Sequence, residues 1–281
     1  DGIPSRSMYF DEFKAQLPDT DPTETAEWLA EDLRRESGDP GARLPVDEDG
    51  ARVLYLVNPR EVKFFPLSLH AAAGVFHAAG ESWTLSSRCF DVTNYGFFAA
   101  DDGAAAELTR RAIDEARRLG AREIVLSECG HGFRSFRWEG PEWLGAPHPL
   151  PVRSVLELLV EYLDAGRLRV DPARNTARVT LHDPCNLVRW GGVSEPQRRI
   201  LSEVVSDFVE MTPNREQNFC CGGGGGLLAL EEHGARRIAS GARKAEQIRN
   251  TGAAVVACPC HNCADQLIEL DRVNNLGVEI K

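Results

Sequence analysis

Short apolar runs alternate with amphipathic segments along the chain from Ala51 onward. Unbroken apolar runs of four or five residues are typical of strands that are buried on both faces of a parallel sheet. Apolar residues at three- and four-residue spacing between these runs predict helices that pack through one face. The alternation therefore predicts an α/β fold with mostly parallel sheets flanked by helices. Strands are predicted over 53–57, 123–126, 179–181 and 253–257, and helices over 24–35, 108–119, 152–163, 200–208 and 238–248.

A faint internal repeat suggests two pseudo-repeated lobes. In the first half, Cys89 is followed by a predicted helix and strand and then by Cys129. In the second half, Cys221 is followed in the same way, and at almost the same separation, by Cys260. The second copy carries five cysteines in this register, whereas three of the matching places in the first copy hold Arg60, Arg88 and Gly132. We therefore expect a degenerate first lobe and a metal-binding second lobe.

These copies set the predicted domain boundaries. Residues 1–50 are polar and acidic and are expected to form an N-terminal arm, and residues 51–140 the degenerate lobe. Residues 141–178 are a proline-rich connector with one helix, and residues 179–281 are expected to hold the metal near the cleft between the lobes.

Charge and hydropathy exclude two classes of partner. The formal net charge is −11, and nucleic-acid binding requires a basic surface, so no nucleic-acid partner is expected. No apolar run approaches the ~18 residues of a membrane-spanning helix. Clustered thiols that are not arranged as a secreted disulfide scaffold favour a reducing compartment. The prediction is a cytoplasmic protein that reaches a membrane only through partner subunits.

Five of the eight cysteines form a spaced group that is typical of a metal site. Each part of the group is expected where a strand passes into a loop or helix, the edge at which open α/β sheets bind ligands. Thiolates bind zinc or iron–sulfur clusters, and four of them satisfy a tetrahedral zinc ion. Five thiols favour a cluster of several irons and leave zinc as the alternative. The predicted ligands are Cys185, Cys220, Cys221, Cys260 and Cys263.

The residues around these thiols suggest how the cluster is held. The backbone of Gly222, Gly223 and Gly224 can approach a bulky inorganic group, and its N–H groups can stabilise sulfide and thiolate charge. His261 and Asn262 are expected to donate hydrogen bonds to cluster sulfur, contacts that tune a reduction potential. Cys258, outside the predicted ligand set, is expected to be a buried thiol at a strand end.

The chain resembles the cysteine-rich CCG-domain family over roughly residues 51–270. That family includes the catalytic subunit of heterodisulfide reductase and the iron–sulfur subunits of glycolate, lactate and glycerol-3-phosphate oxidising complexes. The likeness is greatest to the DsrK-type subunit of sulfite-reductase-associated electron-transfer complexes. The stretches that carry the resemblance are Asn94-Tyr-Gly, Glu128-Cys-Gly-His131, His182-Asp-Pro-Cys185, Cys220-Cys-Gly-Gly-Gly-Gly-Gly and Pro259-Cys-His-Asn-Cys263.

The resemblance implies that the five cysteines hold a noncubane [4Fe-4S] cluster at which a disulfide is cleaved. This sequence departs from two-motif relatives, because its first motif is degenerate, so one cluster is expected. It also lacks a Cys-x-x-Cys-x-x-Cys run of the ferredoxin type. Electrons are therefore expected from a ferredoxin-like, flavin or membrane cytochrome or quinone partner subunit, or from a segment beyond these residues.

Three functions stay open on the sequence. In the first, a small disulfide or trisulfide, or a sulfur-carrier protein, is reduced or oxidised at the cluster. A leaving thiol departs more easily when it is protonated or near a cation. His131 is then the candidate proton donor, Arg60 and Arg88 are candidate anion stabilisers, and Cys129 is a candidate redox-active thiol. In the second, the cluster only relays electrons from a flavin subunit to quinone. In the third, the chain is a zinc-binding scaffold.

Overall fold

The computed structural model describes residues 22–63, 66–127 and 129–281. It divides into two compact units, each with its own four-stranded sheet. The first unit contains the described residues within Asp1–Ser127 and Ser135–Leu168, and the second those within Glu128–Arg134 and Arg169–Lys281. The predicted domain boundaries stay a prediction, and the first 21 residues of the predicted arm lie outside the described residues.

The sheet of the first unit is parallel throughout and has the strand order β2–β1–β3–β4. Its two central strands are fully buried, as their unbroken apolar runs predicted. The strands are β1 (Val53–Leu56), β2 (Trp83–Thr84), β3 (Glu123–Leu126) and β4 (Val152–Ser154). The helices are α1 (Pro22–Ser37), α2 (Pro59–Lys63), α3 (Pro66–Ala78), α4 (Tyr95–Ala99), α5 (Asp102–Arg118), α7 (Gly140–Leu144) and α8 (Val155–Asp164), with a π-helical segment at Ser135–Glu139.

The second unit repeats this topology. Its parallel sheet has the order β6–β5–β7–β8, so each strand takes the place of its counterpart in the first sheet. The strands are β5 (Arg178–Leu181), β6 (Asp207–Val209), β7 (Val255–Ala257) and β8 (Glu279–Ile280). The helices are α6 (Gly130–Arg134), α9 (Pro196–Val204), α10 (Gly234–Ser240), α11 (Ala242–Thr251) and α12 (His261–Asn274), with 3-10 turns at Pro172–Arg174, Arg215–Gln217, Gly225–Ala229 and Glu231–His233. The α/β fold with two parallel sheets is confirmed.

The cores of the two units differ in kind. In the first unit, aromatic rings pack edge to face, with Tyr55 and Phe76 centroids 5.1 Å apart and Tyr162 against the same Phe76. Such pairs add about 0.5–1.5 kcal/mol each beyond the area they bury. In the second unit, apolar residues such as Val256 and Leu267 pack in one buried cluster together with four cysteines. The thiols of the second unit are therefore part of its core.

Three predicted helices were wrong in part. The segment 152–163 begins as strand β4, and its helix starts at Val155 because Ser154 and Glu157 form a capping box. The segment 200–208 ends its helix at Val204, and Phe208 lies in β6. The segment 238–248 is divided at Gly241, where an added Cβ would lie 2.6 Å from the carbonyl oxygen of Cys221. Close backbone packing, rather than helical periodicity, sets that boundary.

Among the described residues, no helix has the length and apolar character needed to cross a membrane.

Candidate metal centre

Cysteine thiols gather at the carboxyl ends of the two central strands of the second unit. Cys185 lies in the turn that follows β5, and Cys258 comes directly after β7. Cys260 is the N-cap residue of α12, and Cys263 lies in the first turn of that helix. One helix start thus presents two sulfurs, as the Cys-x-x-Cys spacing predicted.

The adjacent pair Cys220–Cys221 does not follow a strand directly. The prediction that each cysteine group follows a strand was wrong here, because β6 ends at Val209 and the pair follows the 3-10 turn Arg215–Gln217. Cys221 is buried and Cys220 is exposed. A long connection, and not a strand end, brings this pair to the other thiols.

The five predicted ligands form one continuous series of neighbouring thiols. Hydrogen bonds join Cys185 to Cys220 and Cys220 to Cys221. Cys221 is in turn bonded to Cys263, and Cys263 to Cys260. Cys258 also contacts Cys263, and all eight cysteines are free thiols. The structure therefore brings the five sulfurs together with no disulfide among them.

Hydrogen bonding within this group favours thiolates at two positions. The thiol of Cys263, together with the N–H groups of Gly130 and Cys263, lowers the pKa of Cys260 to about 6 although burial opposes ionisation. The thiols of Cys185 and Cys221 hold the pKa of Cys220 far below its usual value of 9. The donating thiols, Cys185 among them, have raised pKa values for the same reason. Thiolates are the form that binds metal, so the group is prepared for a thiophilic ligand.

Backbone N–H groups point at the sulfurs. Gly222 N lies 3.3 Å from Cys220 Sγ, and Gly223 N lies 3.4 Å from Cys221 Sγ. Gly222 and Gly224 have φ values of +89° and +64°, which favour glycine. The glycine run thus supplies donors for thiolate charge. Its last two glycines begin the 3-10 turn Gly225–Ala229.

The substitution Gly222→Ala is expected to destabilise the second unit by about 3 kcal/mol. The added Cβ would lie 2.6 Å from Gly241 N and 2.7 Å from the carbonyl oxygen of Arg237, and φ is positive. Gly252→Ala is the matched control, because Gly252 has φ +61° but open space around it, so about 1 kcal/mol is expected. Urea unfolding measures both, and equal losses would contradict the close backbone approach at Gly222.

The predicted hydrogen-bond donors and catalytic residues of the second unit lie beside this group. Asn262 Nδ2 lies 3.3 Å from His131 Nδ1, and His261 is buried beside the Cys260 thiolate. Burial and the nearby Arg134 lower the pKa of His131 to about 4, so its imidazole is neutral at pH 7. Helix α6, which carries His131, belongs to the second unit although it precedes the connector in sequence.

The predicted redox-active thiol, Cys129, also belongs to the second unit. It is buried, and its Sγ accepts the N–H of Gly132 at 3.4 Å. Its redox role stays a prediction.

The two predicted arginines belong to the first unit. Arg88 is exposed and near Glu115, whose pKa it helps to lower. The side chain of Arg60 lies outside the described residues. Their roles as anion stabilisers stay predictions.

Two buried residues of the centre were not singled out from the sequence. His182 is fully buried at the end of β5, and its two ring nitrogens have no hydrogen-bond partner among the described residues. A ring nitrogen of His182 and the sulfurs of Cys221 and Cys263 all lie within 4.8 Å of one another. Lys244 is also buried, with Nζ 3.5 Å from Met211 Sδ, and burial lowers its pKa to about 8. The sequence signals for His182 were its position between a strand and a cysteine and its place in the stretch His182-Asp-Pro-Cys185, which carries the resemblance.

The network beneath Cys185 fixes the turn that carries it. Asp183 is buried and accepts hydrogen bonds from Arg198 Nη1 at 2.9 Å and Nη2 at 2.8 Å. It also accepts the backbone N–H of Arg215 at 2.7 Å, and Arg198 Nε donates to Glu210 at 2.6 Å. This bidentate pair ties the chain after β5 to α9 and to the segment that leads to Cys220.

These features fit an iron–sulfur cluster. Soft thiol donors converge, and two glycine N–H groups point at sulfur. The same thiol-rich donor set also suits zinc.

Comparison with known proteins assigns this part of the chain to one family model. Residues 179–268 match the cysteine-rich domain called CCG. Over 167 residues the chain is 30% identical to a dihydromethanophenazine:CoB–CoM heterodisulfide reductase polypeptide from Methanosarcina barkeri, a match that covers 59% of this chain and 40% of that protein. Over 229 residues it is 29% identical to the Hdr-like menaquinol oxidoreductase iron–sulfur subunit of Archaeoglobus profundus, covering 66% of this chain and 40% of that protein.

A third relative is named as a quinone oxidoreductase. The EtfAB:quinone oxidoreductase of Syntrophomonas wolfei is 25% identical over 205 residues, covering 66% of this chain and 28% of that protein. The chain thus spans two fifths or less of the length of these three relatives. All three are named as oxidoreductases or parts of them, and the match to the cysteine-rich domain implies an iron–sulfur cluster.

Proposed function

We propose that this chain is an iron–sulfur subunit of a heterodisulfide reductase-like oxidoreductase, because residues 179–268 match the model of the cysteine-rich CCG domain. The observation that carries the proposal is the continuous series of five thiols in the second unit. The names of the relatives support the same class of complex. The chain acts, in this proposal, with electron-donor or electron-acceptor subunits.

The proposed ligands are the five predicted cysteines, and the proposed group is a noncubane [4Fe-4S] cluster. The five cysteines would hold the cluster, which when bound would supply one-electron chemistry and an iron site for a sulfur atom of the substrate. Five thiols exceed the four that a cubane cluster or a zinc ion requires, which supports the noncubane form over both. The ligands are Cys185, Cys220, Cys221, Cys260 and Cys263.

The burial of the ligands suggests where a substrate approaches. Cys221, Cys260 and Cys263 are buried, whereas Cys185 is half-buried and Cys220 is exposed. A disulfide or trisulfide therefore approaches on the side of Cys220. The buried side carries the N–H group of Gly223 and the Lys244 cation, which stabilise negative charge where water is excluded.

Proton supply in this proposal involves His131. Reduction of a disulfide consumes two electrons and two protons and releases two thiols. At neutral pH the imidazole of His131 is neutral, because its pKa is about 4, so it does not donate as an imidazolium. Held by Asn262, it would instead pass a proton on, accepting at one nitrogen and donating from the other. The role given to His131 is that of a relay.

The alternative function is electron transfer without bond cleavage at the cluster. The relative named as an EtfAB:quinone oxidoreductase favours this alternative. In such a complex the chain passes electrons between a flavin subunit and quinone. The exposed Cys220 then marks the side that faces an electron-transfer partner.

Electron paramagnetic resonance with added thiols and disulfides tests the proposal. The oxidised, cluster-loaded chain is mixed with a panel of small aliphatic thiols and disulfides. Cleavage at the cluster predicts a changed signal, because a substrate sulfur would bind iron. An unchanged signal with every compound, together with quinone-linked oxidation of the reduced chain, would contradict cleavage and establish the relay.

A further inference from the structure

We infer that His182, Cys221 and Cys263 form a site for a single thiophilic divalent ion such as zinc, nested within the cysteine group. The site shares Cys221 and Cys263 with the proposed cluster, so the ion and the cluster cannot be bound at the same time. This mutual exclusion rests on the proposed function. The site is mononuclear and uses an imidazole, in contrast to the five-thiol cluster.

The first support is that the buried imidazole of His182 has no hydrogen-bond partner among the described residues. The side chain is fully buried, and its two ring nitrogens have no hydrogen-bond partner among the described residues. A buried imidazole that serves only to fill space is normally hydrogen-bonded by at least one nitrogen. The sulfurs of Cys221 and Cys263 are the soft donor atoms beside it. A metal ion at this point would satisfy one of these ring nitrogens.

The second support is distance. One ligand atom from each of the three residues lies within 4.8 Å of the other two. A zinc ion with bonds of about 2.0 Å to nitrogen and about 2.3 Å to sulfur holds neighbouring ligand atoms about 3.5 Å apart. The upper limit of the observed separations is therefore about 1.3 Å above the spacing that a bound zinc ion would impose.

The third support is the rigidity of the elements that carry the three ligands. The backbone N–H of His182 extends the β5–β7 pairing by donating to the carbonyl oxygen of Ala257 at 2.9 Å. The next residue, Asp183, is fixed by its two hydrogen bonds to Arg198. Cys263 lies in the first turn of α12, and the Sγ of Cys221 accepts a backbone N–H. Ligands held in this way are preorganised for an ion.

The charges also suit a divalent ion. His182 is buried, and a neutral imidazole adds a nitrogen ligand to the site without adding charge. Binding of the ion displaces the thiol protons of Cys221 and Cys263, and the two resulting thiolates balance its two charges. The resulting neutral centre is compatible with a core position in which an isolated charge is costly.

Cobalt binding to the metal-free 281-residue chain tests this site under anaerobic conditions. One equivalent of Co²⁺ is expected to give sulfur-to-cobalt charge-transfer bands and tetrahedral ligand-field bands. His182→Gln should weaken Co²⁺ binding at least tenfold. Cys89→Ser is the control, because this thiol belongs to the first unit, and it should bind Co²⁺ like the wild type. Equal affinity of His182→Gln and wild type would overturn the inference.

A second measurement uses the wild type alone, in case His182→Gln fails to fold. X-ray absorption of the chain loaded with one equivalent of Zn²⁺ should show the multiple scattering of one imidazole beside sulfur. A shell of sulfur alone would overturn the inference. The proposed function can fail while the ion site stands. A chain that binds Co²⁺ through His182 but assembles no iron–sulfur cluster would support the ion site and contradict the proposed cluster.

Discussion

The substitution Arg198→Met is expected to lower the free energy of unfolding of the chain by about 3–5 kcal/mol. Arg198 is buried and donates two hydrogen bonds to Asp183, at 2.9 and 2.8 Å. It also donates to Glu210 at 2.6 Å and to the carbonyl oxygen of Ser194 at 2.6 Å. Methionine fills similar space but leaves the Asp183 carboxylate buried without its cation. Urea unfolding followed by circular dichroism measures the loss.

The neighbouring arginine provides the control for this prediction. Arg199 lies on the same helix, and the side chains of Arg199 and Glu203, which form an ion pair, are 39% and 44% exposed to solvent. Exposed pairs of this kind contribute little, so Arg199→Met should change the free energy of unfolding by less than about 0.5 kcal/mol. The double variant Asp183→Asn, Arg198→Met should recover part of the loss, because it removes the unpaired charge. Equal effects of the two single arginine variants would refute the buried network.

The second large effect concerns cluster assembly. Cys221→Ser is expected to reduce the iron and sulfide content of the reconstituted chain to background. Cys221 stands in the middle of the thiol series, hydrogen-bonded to Cys220 on one side and to Cys263 on the other. It is buried, so water or an external thiol cannot replace it easily. Loss of this sulfur divides the series into two parts that each hold too few ligands.

Cys258→Ser is the matched control for Cys221→Ser. Cys258 is also buried and contacts Cys263, but it stands at the side of the series and not within it. We expect the Cys258→Ser chain to keep most of its iron and sulfide. Iron and acid-labile sulfide are measured after anaerobic reconstitution of both variants. A Cys258→Ser chain that loses as much iron as Cys221→Ser would place Cys258 among the ligands.

The fold could be predicted from the sequence where its elements are long or strongly patterned. The central strands β1, β3, β5 and β7 consist mainly of apolar residues, because neighbouring strands and helices cover them. The edge strands β2 and β8 were not predicted, because they have two residues each and are too short to show an alternation of apolar and polar residues. The break at Gly241 also escaped, because it depends on the backbone of Cys221, twenty positions earlier in the chain. Such boundaries are decided by tertiary packing.

Part of the candidate site could be predicted from the sequence and part could not. The five cysteines were predictable because adjacent cysteines and a Cys-x-x-Cys are rare patterns with a chemical meaning. His182 and Lys244 were not, because a single histidine or lysine has no spacing that reveals burial beside sulfur. The fold brings these two side chains into the core. Their roles follow from this burial and from the groups around them, which only the folded structure reveals.

Anaerobic purification of the chain, followed by iron and sulfide quantification and electron paramagnetic resonance, tests the central claim most directly. The account predicts about four irons and four sulfides per chain, together with the resonance signal of one cluster. Zinc in place of iron, with no acid-labile sulfide and no cluster signal, would contradict it.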